Sequence, residues 1–260
     1  DQIDLSKHLG LDQKTKELLV APADNVTNFE GIQFLVENPY WEGAKISLYS
    51  AGEESIASMP NIKVGKFITQ VILQNIEVED IDLSNATDLR SAWVQNNPAL
   101  QKLDLSYSTI WGQGDKETEG NGTYGSSLMV LGCPILKEIK LPEKNELKAY
   151  RIDIECLDAL ETFDMSNVKM VAELSIGDLN KDFNLVYPEL TIFYSEDGYA
   201  GTYFACSENT FYRESTQAFL KANYTDIDPD DTVRRLGYTS SLSYDKNKGC
   251  RWRTLLNKQK

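Results

Sequence analysis

Residues 81–84 read Ile-Asp-Leu-Ser and residues 103–106 read Leu-Asp-Leu-Ser. The phrase returns in altered form as Ile139-Lys140-Leu141-Pro142 and Phe163-Asp164-Met165-Ser166, at steps of 22, 36 and 24 residues. The long step holds the glycine-rich polar run WGQGDKETEGNGTYG, which reads as an inserted loop over about 111–126. Without that loop the period returns to about 22. A unit of this length cannot bury its own apolar face, so it must stack on its neighbours. The expected architecture is a solenoid.

A second strand-like phrase sits in each unit. Leu89, Ala92, Val94 and Asn97 follow Leu-x-x-Leu-x-Leu-x-x-Asn, with Ala for one Leu and Pro98 next. Leu128, Val130, Cys133 and Pro134 repeat its end, and Val71, Leu73 and Ile76 precede it. Tyr150 with Ile152, and Leu174 with Ile176, continue it. YPELTIF (187–193) reads as one more edge, and LVENP (35–39) echoes VQNNP (94–98), suggesting a degenerate unit near residues 30–50. Alternate residues of each phrase point inward as a strand requires. Asn97 and Cys133 share one slot, where a small polar side chain can satisfy a turning backbone. Glu155–Cys156 displaces that slot by one residue, which reads as a bulge.

Spacing, slot and following proline together resemble the leucine-rich repeat. The phrases IDLSNATDL, WVQNNPALQKLDLS and VLGCPILKEIKL are similar to repeats of surface proteins and lipoproteins from Bacteroides-type bacteria. The resemblance covers residues 65–195. It implies a right-handed leucine-rich-repeat solenoid of the β/α superhelix class, β-rich, with parallel strands, few helices and a cap at each end. It also implies a secreted, cell-surface or lipid-anchored setting and recognition of a protein partner, host or bacterial.

Residues 1–64 are then an N-terminal cap with a possible degenerate repeat, and 196–260 a C-terminal cap or small extra domain. LDQKTKELLV (11–20) reads as a short amphipathic helix. SENTFYRESTQAFLKAN (207–223) reads as another, with Phe211, Ala218, Phe219 and Leu220 as its apolar face. The chain opens at Asp1, with no Met and no signal-like apolar stretch, and is expected to be a processed chain. Cys133 and Cys156 are expected to be buried thiols, while Cys206 and Cys250 could pair in an oxidising compartment.

Catalytic chemistry finds little footing. The single histidine, His8, stands near the start, and no nucleophile phrase or Cys-x-x-Cys pair is present. Alternate acids in DIDPDD (226–231) suggest calcium, but Asp231 stands where such a loop wants glycine, so an acidic turn is the better reading. Neither a metal nor a cofactor is expected. A net charge of −14 argues against nucleic acid, and no run of about 18 apolar residues exists to span a membrane. The expected function is non-enzymatic binding through a strand face. Its candidate residues are Asp82, Asp104, Lys140 and Asp164 from one strand set, and Trp93 and Gln95 from the other, with Tyr107 and Trp111 beside them. A carbohydrate-binding accessory protein, stacking sugars on Trp93, Tyr107 and Trp111, is the alternative. A hydrolase using two of the 40 acidic residues is the weaker third reading.

Overall fold

The alternation of apolar residues is carried through eight parallel strands that form one sheet in chain order. They are β1 Glu17–Val20, β2 Lys45–Tyr49, β3 Gln70–Gln74, β4 Ser91–Gln95, β5 Ser127–Leu131, β6 Leu147–Glu155, β7 Val168–Gly177 and β8 Tyr203–Cys206. The protein is seen in a computed structural model that describes residues 17–21, 24–37, 45–50, 56–113, 125–177, 179–180, 182–191, 195–196, 199–200, 203–223, 243–245 and 249–251. His8, most of the inserted loop, the 226–231 acidic run and residues 252–260 lie outside these.

Register makes the sheet a set of columns. Leu18, Ile46, Val71, Ala92, Leu128, Ile152, Leu174 and Phe204 are successive rungs, all buried. Val20, Leu48, Leu73, Val94, Val130, Ile154, Ile176 and Cys206 form the second buried column. Each buried Val, Leu or Ile contributes roughly 1.5–3 kcal/mol, so the columns bind neighbouring strands that are individually too short to persist.

Opposite the sheet runs a second wall of short parallel pairs. Ala57–Ser58 pairs with Ile76–Glu77, Ile62–Lys63 with Ile81–Asp82, Lys102–Asp104 with Glu138–Lys140, and Thr162–Asp164 with Asn184–Val186. Ile81 and Leu103, the opening apolar residues of the recurring phrase, are both buried in this wall. Their strands lie against one another without joining in one ladder. The core fills the space between the walls.

The turns leaving the sheet share one conformation. Asn75, Asn96, Gly132 and Cys156 follow β3, β4, β5 and β6 and have φ of 57°, 54°, 63° and 54°. Asn tolerates the left-handed region and glycine enters it freely. Each N–H donates to the last carbonyl of the next strand: Asn75 to Gln95 at 2.9 Å, Asn96 to Leu131 at 2.8 Å, Gly132 to Glu155 at 3.0 Å and Cys156 to Gly177 at 3.1 Å. Cys156 therefore stands in the turn position, and the buried Leu157 stands level with Asn97 and Cys133. No bulge interrupts β5 against β6; the one shift of register lies at Leu147/Lys148. The cysteines also depart from expectation, since Cys156 is disulfide-bonded and Cys206 is a free buried thiol.

The sheet reaches beyond residues 65–195 at both ends, to β1 and β8. The part of 11–20 that is described is a strand, not a helix, because Leu18 and Val20 point in and Leu19 points out. The C-terminal helical stretch is broken in two, α1 Glu208–Phe211 and α2 Glu214–Asn223. The break rotates the apolar face, so Thr216 is buried with Phe219 and Leu220 while Ala218 is exposed. Phe219 stacks on Tyr187 with ring centroids 4.5 Å apart, and Phe204 from β8 completes the cluster. The Arg213 guanidinium joins α1–α2 to the preceding turn through the carbonyls of Phe183, Asn180 and Leu179 at 2.9, 2.6 and 3.3 Å.

Candidate functional site

The outward side of the main sheet carries its own column. Leu19, Ser47, Ile72, Trp93, Met129, Asp153, Ser175 and Ala205 are successive rungs, about 4.8 Å apart. Its first five rungs are apolar except for Ser47, whose hydroxyl donates to Glu17 Oε1 at 2.6 Å. Leu19 is 40% exposed, and Trp93 and Met129 are half-buried. The Trp93 indole N–H is itself buried and meets no acceptor among the described residues. Gln74 and Gln95 lie on neighbouring strands of the adjacent column, both half-buried. Ser47 and Ile72 are buried, 1% and 9% exposed, so Leu19, Trp93 and Met129, with the two amides beside them, are the reachable part of this neutral column.

Beyond Met129 the same face turns ionic. Arg151 Nη2 meets Asp153 Oδ2 at 3.0 Å, and its Nη1 lies 3.5 Å from Glu173 Oε2. Ser175 Oγ donates to Glu155 Oε1 at 2.8 Å. Burial is the main cause that holds the Asp153 carboxyl above the usual carboxylate range, against the pull of Arg151 and of hydrogen bonds with Glu155 and Ser175.

The acidic column of the second wall serves the turns. Oδ1 of Asp82, Asp104 and Asp164 accepts the amide N–H of Ser84, Ser106 and Ser166 at 2.8, 3.0 and 2.8 Å. These Asp-x-Ser turns fold the chain back after each short strand. The Ser84 side chain is the largest cause holding the Asp82 carboxyl below its ordinary value, with the Ser84 amide and Lys63 at 3.0 Å assisting. For Asp104, burial pushes upward, but Ser106 and Lys102 outweigh it and the net shift is downward. Lys140 pairs with Glu138 at 3.1 Å on the surface, and Lys102 reaches both Asp104 and Glu138. Such exposed pairs contribute little.

The aromatic candidates separate. Tyr107 is 50% exposed on the turn after residues 102–104. Trp111 is fully enclosed, with its indole N–H on the Ser127 carbonyl at 3.3 Å, so it packs under the base of the inserted loop and is not available for contact. Leu19 and Ile72 on the outer column were missed as site residues; the alternation in ELLV and QVILQ is the signal that places them on that side. Among the described residues no group of three or more His, Cys, Asp or Glu is placed to hold a metal, and no helix is long and apolar enough to cross a membrane. Comparison with protein-family models, curated proteins and solved structures finds no match.

Proposed function

We propose that the chain is a leucine-rich-repeat-type solenoid that acts without catalysis, holding a protein partner against the outward face of its main sheet at a bacterial cell surface or outside the cell. The observation that carries this reading is Trp93: a half-buried aromatic on the outer column of the main sheet, flanked by Ile72 and Met129 on adjacent strands. A partly exposed aromatic side chain among apolar neighbours on the outer side of a sheet suits a protein contact. The shared Asn97/Cys133 slot and the columns of Leu, Ile and Val support the repeat reading. Pull-down from host and bacterial surface extracts, analysed by mass spectrometry, tests it with wild type and Trp93→Ala side by side. A partner retained equally by both proteins would refute the assignment of this face.

A carbohydrate ligand is the second reading, favoured by the exposure of Tyr107 together with Trp93. Trp111 adds nothing to it, being enclosed, and Tyr107 follows a strand of the opposite wall. A glycan array with no signal for the wild type would remove it.

A further inference from the structure

The chain has four cysteines. Cys133 and Cys206 are free thiols, whereas Cys156 is disulfide-bonded. One cysteine is left to be its partner: Cys250, which stands level with Tyr244 in the antiparallel hairpin of Ser243–Asp245 and Gly249–Arg251. Cys156 also holds an unusual place for its type. Asn75, Asn96 and Gly132, its equivalents on the preceding turns, enter the left-handed region readily, but a cysteine at φ 54° is strained there. The side chains of this turn column reach one another, since Asn96 Nδ2 donates to Asn75 Oδ1 at 2.7 Å. A covalent tie made from this buried corner gives the strain at Cys156 a cause.

The outward face next to that turn is closed. Gln74, Gln95, Leu131, Glu155 and Gly177 are successive outward rungs. The two glutamines are half-buried, as long side chains on an open sheet face are. Leu131 and Glu155 are each 1% exposed, Gly177 is buried, and Asp153 beside them is 0% exposed. Strands flank Gln74 and Gln95 on both sides too, so flanking strands do not account for the change. A further element has to lie over the ends of β5, β6 and β7. Charge says which. Residues 243–260 carry Lys246, Lys248, Arg251, Arg253, Lys258 and Lys260 against one acid, Asp245. The closed patch gathers Asp153, Glu155 and Glu173 about Arg151. The basic segment around Cys250 thus complements the acidic corner that ends at Cys156. We infer that a Cys156–Cys250 disulfide fastens the hairpin to the turn after β6 and docks it over the outward ends of β5, β6 and β7. The free part of the face is thereby confined to its Leu19–Trp93–Met129 end, and the inference does not depend on what that end binds.

Closing the bond removes two protons and two electrons from the Cys156 and Cys250 thiols. A disulfide-bearing oxidant takes them and leaves as two thiols, so the bond belongs to an oxidising compartment. To read the pairing, the full chain is purified without reductant, unfolded with N-ethylmaleimide present, digested and mapped by mass spectrometry. Expected are a linked peptide pair holding Cys156 and Cys250 that disappears on reduction, a monomer on a non-reducing gel, and maleimide on Cys133 and Cys206. Maleimide on Cys250, or Cys156 bonded to any other sulfur, overturns the fastening. Carboxyl labelling with a carbodiimide and glycine ethyl ester reads the docking in the native protein. Asp153 and Glu155 should label several-fold more slowly in oxidised wild type than in Cys250→Ser, while the exposed Glu143 reacts alike in both. Equal rates at Asp153 and Glu155 overturn the docking even where the bond is found. If Cys250→Ser does not fold, wild type with and without reductant supplies the same comparison, since Cys133 and Cys206 have no disulfide to lose.

Discussion

Asn97 reaches across one level of the fold to Val78, its Nδ2 donating to the Val78 carbonyl at 3.1 Å. Its Oδ1 meanwhile accepts the N–H groups of Ala99 and Leu100 at 2.9 and 3.0 Å. The Val78 N–H also donates to that Oδ1 at 3.5 Å, so one fully buried amide serves four backbone groups. Replacing it with alanine strands all four, so Asn97→Ala should cost about 2–5 kcal/mol, whereas Asn97→Cys should cost clearly less because Cys133 fills the equivalent slot one level on. Urea unfolding midpoints of the two variants check this; equal losses would mean that the slot is only a matter of volume.

The two candidate tryptophans should behave oppositely. Trp111→Ala empties a fully enclosed site and is expected to cost about 3–5 kcal/mol. Trp93→Ala should stay within about 1 kcal/mol of wild type, since the side chain is only half-buried. Thermal melts of both proteins decide the matter, and a Trp93→Ala melt as depressed as that of Trp111→Ala would show that Trp93 supports the core.

Burial pushes the Cys133 and Cys206 thiols up to about 12. The thiolate that reacts is therefore scarce at any physiological pH, and both thiols should resist a disulfide-exchange reagent at about pH 8 until the chain is unfolded. Fast, stoichiometric labelling of the native protein would contradict this, and cysteine-by-cysteine mass mapping would say which thiol reacted.

Arg213 spreads one cation over three carbonyls of the preceding turn. Arg213→Ala should destabilise the α1–α2 end by about 2–4 kcal/mol, and Arg213→Lys should recover only part, because an ammonium lacks the planar fork. Limited proteolysis within 208–223 measures the loosening directly; an unchanged cleavage rate in Arg213→Ala would sink the expectation.

Parts of this architecture were readable from residue types and parts were not. Columns such as Leu73–Val94–Val130 follow from alternation alone, and the shared position of Asn97 and Cys133 follows from turn chemistry. The ELLV segment was misread because a short apolar run fits a helix as well as a strand. Asp82, Asp104 and Asp164 read as a binding column because they point away from the core, although the serine two residues on is the signature of a turn. The Asp153–Glu155 pair could not be seen in IDIE, whose alternation places both acids on an open face. Only the surrounding structure reveals that this face is closed there.

Gly112, at φ 80°, lies where a Cβ would come within 2.5 Å of Leu147. Its N–H donates to Ser126 Oγ at 2.7 Å, and its carbonyl accepts the Lys148 N–H at 2.7 Å. The two ends of the 111–126 excursion are thereby stitched together at their base, and β4 and β5 stay in unbroken register across it. Residues 112 and 126 consequently form a clasp through which the chain leaves the sheet after β4 and rejoins it at β5 with every rung still facing its neighbour.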